Sequence, residues 1–177
     1  MIRPLLILDL DETLVFASEE SQASGYDAMV GPYYVRKRPY VDSFLTSISE
    51  WYDLAVWTSS GAGYATGIVE LLFPRPEELC FLWSRERCIQ RFDQETREIT
   101  WLKDLKKVVR QGYQLERTLI LDDSPEKLAR NYGNLVRVSP FEGDRQDDEL
   151  TRVLPFLRTL ASAADVRRVE KRGWRLR

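Results

Sequence analysis

Apolar runs of four to six residues alternate along the chain with stretches whose apolar residues recur at helical spacing. The runs are typical of strands buried inside a sheet, and they occupy residues 5–10, 52–57, 80–83, 118–121 and 135–138. Between them, Val41, Phe44, Leu45 and Ile48 show the spacing of a helix with one buried face. Strands that alternate with helices predict an α/β fold with a central, mostly parallel sheet and helices on both faces.

Prolines mark several predicted helix boundaries. Pro39 is expected at the first position of the first helix, and Pro125 at the first position of a helix capped by the side chain of Ser124. The last helical region begins near residue 147 and contains Pro155. This proline is expected to kink or split the helix, because proline lacks the N–H that an α-helix interior needs.

Two segments do not follow the alternation of strands and helices. Residues 16–35 show no sustained period, and their glycines, proline and tyrosines predict a short hairpin-like flap after the first strand. Residues 166–177 are basic and are expected to form a solvated or frayed terminus. With 177 residues and no low-complexity linker, the chain is predicted to fold as a single domain, residues 1–177.

Polar side chains follow several of the apolar runs directly. Two carboxylates end the first run, a hydroxyl-rich turn ends the second, and an acidic pair ends the fourth. The carboxyl ends of parallel strands meet at one edge of a sheet, where open α/β sheets bind their ligands. The side chains predicted to converge there, together with one lysine, are Asp9, Asp11, Thr58, Lys103, Asp122 and Asp123.

The composition excludes several kinds of site. The chain has no histidine, which removes Ser-His-Asp catalysis, Cys-His catalysis and histidine-ligated zinc. Its two cysteines, Cys80 and Cys88, are too few for a zinc site and are expected to be buried apolar side chains. The formal net charge of −2 gives no sign of nucleic-acid binding, and no apolar stretch approaches the roughly 18 residues of a membrane span. Without a signal peptide or a disulfide framework, a cytoplasmic protein is predicted.

The converging residue types suit phosphate chemistry with Mg²⁺. Magnesium prefers oxygen ligands, and the candidates are Asp9 and Asp123, with a main-chain carbonyl near Asp11. A carboxylate beside a metal-bound phosphate can attack phosphorus, and Asp11 can protonate the leaving oxygen and then take a proton from water. The hydroxyl of Thr58 can hold a phosphate oxygen, and Lys103 can neutralise the charge that develops on those oxygens.

Several motifs resemble those of one group of phosphatases. The segment Asp9-Leu10-Asp11-Glu12-Thr13 is similar to the first motif of the haloacid dehalogenase superfamily. With Leu14-Val15 it resembles the branch that acts on the C-terminal domain of RNA polymerase II, and its small relatives. Other motifs of that branch have counterparts in Arg38-Pro39, Trp57-Thr58-Ser59-Ser60, Arg85-Glu86-Arg87-Cys88, Lys103-Asp104-Leu105 and Asp122-Asp123-Ser124-Pro125. The resemblance covers most of the chain and implies a three-layer, Rossmann-like fold.

The resemblance implies catalytic and phosphate-binding roles for part of the set. Asp9 would be the nucleophile that forms an aspartyl-phosphate, and Asp11 would be the general acid and base. Thr58, Ser59 and Lys103 would bind the phosphate group. No histidine is needed for any of these roles.

The resemblance also implies how the cofactor and the loops around it are held. Mg²⁺ would be bound by Asp9, Asp11 and Asp123. Asp122 would orient the site, and Thr13 would fix the loop after the nucleophile through a hydrogen bond from its hydroxyl to the backbone.

The function predicted from these motifs is Mg²⁺-dependent hydrolysis of a phosphomonoester through an aspartyl-phosphate. A protein that carries phosphoserine or phosphothreonine is the first substrate predicted, and a small phosphate ester is the alternative. No nucleic-acid partner and no membrane span are predicted, and the sequence does not define an oligomeric state.

Two other functions use parts of the same residue set. A receiver-type signalling module also needs acids, a hydroxyl, a lysine and Mg²⁺, but it carries its acidic pair after the first strand, whereas here Asp122-Asp123 follows Lys103. A non-catalytic binding module on the same scaffold tends to lose an aspartate of the first motif, and both Asp9 and Asp11 are present. The order and completeness of the motifs therefore favour the phosphatase.

Substrate selection is expected in the segments that depart from the branch. Phe16 stands where the branch has a histidine, and the insert between residues 74 and 100 is short. The side chains expected to line an apolar groove beside the phosphate are Tyr26, Tyr33, Tyr34 and Trp83.

Overall fold

A parallel sheet of five strands forms the centre of the computed structural model, which describes residues 3–20, 25–92, 94 and 97–176. The strands are β1 (Leu5–Leu8), β2 (Val15–Ser18), β3 (Ala28–Val30), β4 (Tyr33–Lys37), β5 (Asp53–Trp57), β6 (Leu82–Trp83), β7 (Ile89–Phe92), β8 (Ile99–Leu102), β9 (Thr118–Asp122) and β10 (Leu135–Arg137). The α-helices are α1 (Val41–Ser49), α2 (Ala62–Leu72), α3 (Lys106–Val109) and α4 (Glu149–Ala161). Short 3-10 turns connect several of these elements.

The strands of the central sheet lie in the order β10-β9-β1-β5-β6, and every neighbouring pair is parallel. Strand β1 is the middle strand, with Leu5 level with Asp53 of β5 on one side and with Thr118 of β9 on the other. This register brings the carboxyl ends of β1, β5 and β9 to the same edge of the sheet. The predicted α/β class with a mostly parallel sheet is confirmed.

The side chains of β1 alternate between two apolar layers. Leu6 and Leu8 pack with residues of α1, α2 and α4. Leu5 and Ile7 pack on the opposite face, with residues around α3 and of the turn after β9. Each of these side chains is at most 2% exposed, and burying one of this size contributes about 1.5–3 kcal/mol. Because β1 is held from both faces, Asp9 leaves the strand from a rigid base.

The predicted flap is an antiparallel sheet of three strands in the order β2-β4-β3. Gly31, with a φ of 58°, forms the tight turn between β3 and β4. The flap lies against α2, where a Cβ on Gly67 would be 2.5 Å from Cγ1 of Val30. A larger residue at this position would push the flap away from the helix. Residues 21–24 of the predicted flap lie outside the described residues.

A buried arginine ties the end of the flap to the start of α4. Arg38 is 1% exposed and donates hydrogen bonds from Nε and Nη2 to the two carboxylate oxygens of Asp147, both at 2.7 Å. Its Nη1 also donates to the carbonyl of Thr13 at 3.1 Å. The guanidinium group therefore joins three segments that are distant in sequence, by the fork-like pairing that arginine makes with a carboxylate.

A two-stranded hairpin, β7 and β8, fills most of the segment between β6 and Lys103. Within the described ranges it pairs with no other strand. Phe92 and Ile99 lie directly opposite each other on the hairpin and are 57% and 49% exposed. The guanidinium group of Arg85 lies over the ring of Trp101, 5.2 Å from its centre, and connects the hairpin to the body of the fold.

The two cysteines are less buried than expected. Cys80 is exposed just before the short edge strand β6. Cys88 is half-buried, and its Sγ donates to the carbonyl of Thr58 at 3.7 Å. The expectation of two buried apolar side chains is wrong because both residues flank the edge of the sheet instead of its centre.

Two predicted helix starts differ from the structure. Helix α1 begins two residues after Pro39, because Tyr40 adopts a left-handed conformation with a φ of 66°. Ser124 does not cap the turn that follows it, since its hydroxyl donates to Asp123 Oδ2 at 2.8 Å. The turn itself, Pro125–Leu128, is a 3-10 helix and not an α-helix.

Helix α4 runs without interruption through Pro155, so the predicted kink or split is wrong. Pro155 lies on the exposed side of the helix, while Val153, Phe156 and Leu157 are buried on the other side. The carbonyl that loses its N–H partner belongs to Thr151, which is an exposed residue, so water can take the place of the missing donor. The apolar contacts of the buried face hold the helix together.

The basic C-terminal segment packs on the fold as far as the structure describes it, so the expectation of a frayed terminus is wrong. Trp174 is 3% exposed and stacks with Phe156 of α4 at a ring separation of 6.4 Å. Its Nε1 donates to the carbonyl of Arg137 at 2.8 Å. Arg175 forms an ion pair with the buried Glu149. The buried tryptophan and the ion pair thus hold in place a segment whose positive charge had suggested that it is solvated.

Replacing Trp174 by alanine tests whether this segment is part of the core. We expect Trp174→Ala to lower the free energy of unfolding by about 3–5 kcal/mol, because it removes a large buried ring and its hydrogen bond. Urea unfolding followed by circular dichroism measures the change. Leu176→Ala is the control, since Leu176 is 92% exposed and its truncation should change stability by less than about 0.5 kcal/mol. Equal stability of the two variants would show that the segment is not packed.

Candidate active site

The carboxyl edge of the central sheet brings the predicted polar side chains together. Asp9 follows β1, and its N–H donates to the carbonyl of Leu121 in β9 at 3.0 Å. Thr58 follows β5, and its N–H donates to the carbonyl of Trp83 in β6 at 2.9 Å. These hydrogen bonds continue the sheet past the strand ends and fix where the first polar side chains start.

Asp9 and Asp122 share one buried lysine. Lys103 Nζ lies 2.9 Å from Asp9 Oδ1 and 2.6 Å from Asp122 Oδ2, and none of the three side chains is more than 1% exposed. A carboxylate in such a place is stable only when it is paired. Lys103 provides that pairing for both acids. A lysine considered alone would be expected on the surface, whereas this one is buried between two carboxylates.

A second lysine, absent from the predicted set, completes the charged cluster. Lys127 Nζ lies 3.1 Å from Asp9 Oδ2 and 3.8 Å from Asp122 Oδ1. It lies on the 3-10 turn Pro125–Leu128, directly after the acidic pair. The available signal was the closeness of Lys127 to the acidic pair in sequence. It was missed because an α-helix was predicted for this segment, and an α-helix would have pointed the side chain in another direction.

The two lysines determine the charge of Asp9. Burial alone would raise the pKa of Asp9, but the ammonium groups of Lys103 and Lys127 lower it to about 2. Burial, together with the nearby charge of Asp9, raises the pKa of Asp122 to about 7. Burial alone would lower the pKa of Lys127, whereas the carboxylates around it raise that pKa above its usual value. At neutral pH Asp9 is therefore an ionised carboxylate held between two cations.

Asp11 is held by two hydroxyl groups. Tyr64 Oη donates to Asp11 Oδ1 at 2.5 Å, and Ser60 Oγ donates to Asp11 Oδ2 at 2.7 Å. Burial raises the pKa of Asp11. Burial and the carboxylate of Asp11 also raise the pKa of Tyr64, so the phenol keeps its proton and remains a donor. The two hydrogen bonds would by themselves lower the pKa of Asp11, so burial outweighs them, and the net shift is opposite to that of Asp9 two residues earlier.

Thr58 and Ser59 lie side by side in different environments. Thr58 is fully buried, and its Oγ1 accepts a hydrogen bond from the N–H of Ser60 at 3.0 Å. Ser59 is half-buried, and its carbonyl accepts from Nε of Arg85 at 2.6 Å. Because Oγ1 of Thr58 already accepts from the backbone, its own proton can be donated to a ligand. Phosphate binding by both residues stays a prediction.

Asp9, Asp122 and Asp123 form a group that can hold a metal ion. Each offers one carboxylate oxygen, and these oxygens lie within 4.8 Å of one another. Asp9 Oδ1 also lies 2.9 Å from the ammonium group of Lys103. Three buried carboxylates this close together fit a hard divalent cation such as Mg²⁺, which prefers oxygen ligands.

The charge of the cluster agrees with a divalent cation. Four carboxylates face two ammonium groups, so the cluster carries two negative charges when Asp11 and Asp122, whose pKa values are raised, are also ionised. The metal-binding group does not include the carboxylate of Asp11, which the hydroxyls of Ser60 and Tyr64 engage. The sequence predicts that Asp11 takes part in metal binding through a main-chain carbonyl near it. This role stays a prediction.

Thr13 contacts an acid of the site and not the backbone. Its Oγ1 donates to Asp123 Oδ1 at 3.3 Å, so the expected hydrogen bond from the hydroxyl to the backbone is replaced by one to a side chain. The N–H of Ser124 donates to Asp122 Oδ1 at 2.9 Å. Thr13 therefore links the loop after β1 to the acidic pair at the end of β9.

The tyrosines of the flap approach the site through Tyr64. The ring of Tyr33 packs edge-on against Tyr64, with ring centres 5.2 Å apart, and Tyr26 packs in the same way against Tyr34 at 4.8 Å. Trp83 is 7% exposed and packs in the core against Trp57. The prediction that Trp83 lines the groove is wrong because β6 pairs with β5 and turns this ring into the apolar layer.

Most of the chain matches one known family. Residues 4–167 match the NLI interacting factor-like phosphatases. The chain belongs to this phosphatase family. The matched range contains every residue of the charged cluster, from Asp9 to Lys127. The resemblance to phosphatases that act on the C-terminal domain of RNA polymerase II is thereby confirmed.

Curated relatives of this phosphatase-family chain are longer proteins. It is 30% identical to nuclear envelope morphology protein 1 of Saccharomyces cerevisiae over an alignment of 186 residues. This alignment covers 93% of the chain and 40% of the yeast protein. It is 33% identical to human carboxy-terminal domain RNA polymerase II polypeptide A small phosphatase 2 over an alignment of 175 residues. This alignment covers 93% of the chain and 59% of the human protein. The chain thus spans about half the length of these relatives. Its described helices are all too short or too polar to cross a lipid bilayer.

Solved structures of the RNA polymerase II CTD phosphatase Fcp1 share the fold. One aligns with a TM-score of 0.61 at 20% identity, over 96% of this chain and 59% of that chain. A fission yeast variant bound to beryllium fluoride aligns with a TM-score of 0.60 at 20% identity, over 90% of this chain and 50% of that chain. At this level of identity the likeness concerns the architecture, and it confirms the predicted fold.

Removing the shared lysine tests how much of the site depends on it. We expect Lys103→Met to lower the free energy of unfolding by about 3–5 kcal/mol at pH 8 in the presence of a chelator, because two buried carboxylates lose a common partner. The loss should be smaller at pH 5. Asp122, whose pKa is already raised, can then take up a proton and become neutral. Urea titrations at both pH values measure the change.

Lys106→Met is the matched control for this experiment. Lys106 is an exposed lysine three residues later in the chain, and its replacement should change stability by less than about 0.5 kcal/mol at either pH. If Lys103→Met were as stable as Lys106→Met at pH 8, the shared lysine would not be what stabilises the two acids.

Proposed function

We propose that the chain is a Mg²⁺-dependent phosphatase that hydrolyses a phosphomonoester through an aspartyl-phosphate on Asp9. The observation that carries the proposal is the contrast between two acids of the first motif. Asp9 lies beside two ammonium groups, which lower its pKa, whereas Asp11 is held by two hydroxyls and burial raises its pKa. Acids tuned in opposite directions suit a nucleophile and a general acid.

The first step transfers the phosphoryl group to the protein. A carboxylate oxygen of Asp9 attacks phosphorus, and the bond between phosphorus and the ester oxygen breaks. The leaving oxygen takes a proton from Asp11, whose pKa is raised by burial. Lys103 stabilises the negative charge that spreads over the phosphoryl oxygens, and Thr58 and Ser59 hold those oxygens in place.

The second step releases inorganic phosphate. Asp11, now ionised, takes a proton from a water molecule, and that water attacks phosphorus. The bond between phosphorus and the oxygen of Asp9 breaks, which restores the carboxylate. The hydrogen bonds from Tyr64 and Ser60 hold Asp11 in the same orientation in both steps.

Mg²⁺ would be held by Asp9 and Asp123, with a main-chain carbonyl near Asp11 completing the predicted ligand set. When bound, it supplies positive charge that orients the phosphate and offsets the charge that develops in the transition state. Thr13 and Ser124 each hydrogen-bond one oxygen of Asp123 and orient it toward this role.

A phosphorylated serine or threonine of a protein is the proposed substrate. The human relative is named for the C-terminal domain of RNA polymerase II, which supports a protein substrate. The flap places Tyr33 beside Tyr64, next to Asp11, where residues flanking a phosphorylated side chain could pack. A small phosphate ester is the alternative substrate, and a cytoplasmic location stays a prediction.

Release of phosphate from p-nitrophenyl phosphate tests the proposal. We expect the wild-type protein to turn over this ester with Mg²⁺ and to lose the activity in the presence of a chelator. Asp9→Asn should reduce the rate by at least about 10³-fold, because an amide cannot serve as the nucleophile. Circular dichroism should show that this variant is folded.

The outcomes of this assay separate the candidate functions. Turnover that needs Mg²⁺ and Asp9 supports the phosphatase. A folded protein that binds phosphate without turnover would favour the non-catalytic binding module. Unchanged activity in Asp9→Asn would show that Asp9 is not the nucleophile.

The hydrogen bond from Tyr64 to Asp11 predicts an effect that depends on the leaving group. Tyr64→Phe should lower kcat/KM about tenfold for phenyl phosphate, whose leaving oxygen needs a proton, because Asp11 loses one of its two fixed donors. With 2,4-dinitrophenyl phosphate, whose leaving group needs no proton, the change should be less than about twofold. Steady-state kinetics with both esters measure the ratio.

Tyr132→Phe is the control for this variant. Tyr132 lies in the 3-10 turn Tyr132–Asn134, outside the flap, and is 57% exposed, so the same chemical change there should leave the rates with both esters unaltered. If Tyr64→Phe slowed both esters equally, its hydroxyl would stabilise the site in general without positioning the general acid.

A further inference from the structure

We propose that Lys127 is a second phosphate-binding residue, whose ammonium group contacts the phosphoryl group while it is attached to Asp9. This inference rests on the function proposed above and adds a residue that the recognised motifs do not contain. Its basis is the position of Lys127 Nζ, 3.1 Å from Asp9 Oδ2, whereas Lys103 Nζ lies beside the other oxygen, Oδ1.

The two oxygens of Asp9 each have their own lysine. Oδ1 lies beside Lys103, which has no exposed surface, and Oδ2 lies beside Lys127, whose side chain keeps 17% of its surface exposed. A substrate reaches the carboxylate from solvent. The oxygen flanked by the partly exposed lysine is therefore the one that an incoming phosphate meets first.

The ammonium group of Lys127 also has hydrogen-bonding capacity to spare. Of its three N–H donors, one is used on Asp9 Oδ2 within the described part of the chain, and the distance of 3.8 Å to Asp122 Oδ1 is too long for a hydrogen bond. A phosphoryl group joined to Asp9 carries its oxygens one bond beyond the carboxylate oxygen. Lys127 can reach them by rotation of its side chain, without any movement of the backbone.

The backbone holds both lysines in fixed relative positions. The N–H of Lys103 donates to the carbonyl of Lys127 at 2.8 Å, and the N–H of Lys127 donates to the carbonyl of Ser124 at 3.1 Å. The two ammonium groups are thus placed on either side of Asp9 before any ligand arrives. Charges fixed in advance around the reacting group are what stabilises a phosphoryl transition state.

A purely balancing role is the competing explanation for Lys127. In that case the lysine only offsets the four neighbouring carboxylates and makes no contact with phosphate. The two roles predict different effects of its removal. A phosphate ligand would weaken phosphate binding when lost, whereas a counter-ion would leave phosphate binding unchanged and strengthen the binding of Mg²⁺.

Lys127→Met, which keeps the length of the side chain and removes its charge, distinguishes these roles. At saturating Mg²⁺ we expect the affinity for inorganic phosphate, measured by isothermal titration calorimetry, to fall about ten- to a hundredfold. The value of kcat/KM for p-nitrophenyl phosphate should fall by a similar factor. Lys127→Arg, which retains the charge, should recover most of both.

Lys106→Met, the exposed lysine used above, is the matched control and should bind phosphate like the wild-type protein. Unchanged phosphate affinity and unchanged kcat/KM in Lys127→Met would overturn the proposal, and tighter Mg²⁺ binding would then identify a counter-ion. If Lys127→Met did not fold, the arginine variant and Lys127→Gln would decide the question by the same titration.

The calorimetric titration also separates this inference from the proposed reaction. If the wild-type protein released no phosphate from the ester, the hydrolytic function would be wrong. Weaker binding of inorganic phosphate in Lys127→Met would still support a phosphate-binding lysine in that case. A wild-type protein that does not bind inorganic phosphate would overturn the assignment of Lys127.

Discussion

Two carboxylates buried at one edge of the sheet impose the constraint that the rest of the site satisfies. Asp9 and Asp122 leave the ends of adjacent parallel strands and have almost no contact with solvent. A buried charge without a partner costs several kcal/mol, so a cation must enter the same edge. Lys103 does so from the end of the hairpin, and its N–H is fixed by the carbonyl of Lys127. The acids, both lysines and the turn that carries the second lysine thus form one interdependent unit.

The same edge gives neighbouring acids different properties. Asp9 and Asp11 are two residues apart, yet one faces ammonium groups and the other faces the hydroxyls of Ser60 and Tyr64. The ammonium groups lower the pKa of Asp9, whereas burial raises the pKa of Asp11 despite the opposing effect of the two hydroxyl hydrogen bonds. A strand followed by a tight loop is enough to send alternate side chains into these two surroundings. The chain thus obtains two neighbouring acids of different acidity without any histidine.

The parts of the molecule that follow from local pattern were predictable from the sequence. The run of apolar residues before Asp9 predicts a buried strand, and the rule that parallel strands share a carboxyl edge predicts that Asp122 lies near it. Contacts that depend on the exact path between distant segments were missed. Tyr64 and Asp11 are 53 residues apart, and Trp174 and the carbonyl it binds are 37 residues apart. Lys127 was missed for a different reason, because its side chain direction depends on whether its turn is a 3-10 or an α-helix.

The β7–β8 hairpin has a consequence for how this kind of protein can diversify. The hairpin forms its own small sheet, separate from the strands that carry the acids. Lys103 follows it directly, but this lysine is anchored by the backbone of the turn after β9 and not by the hairpin. The outer residues of the hairpin, such as Phe92 and Ile99, can therefore be exchanged, or the hairpin lengthened, while the charged cluster keeps its geometry. The exposed end of the hairpin and the reaction centre are therefore separately mutable parts of the chain.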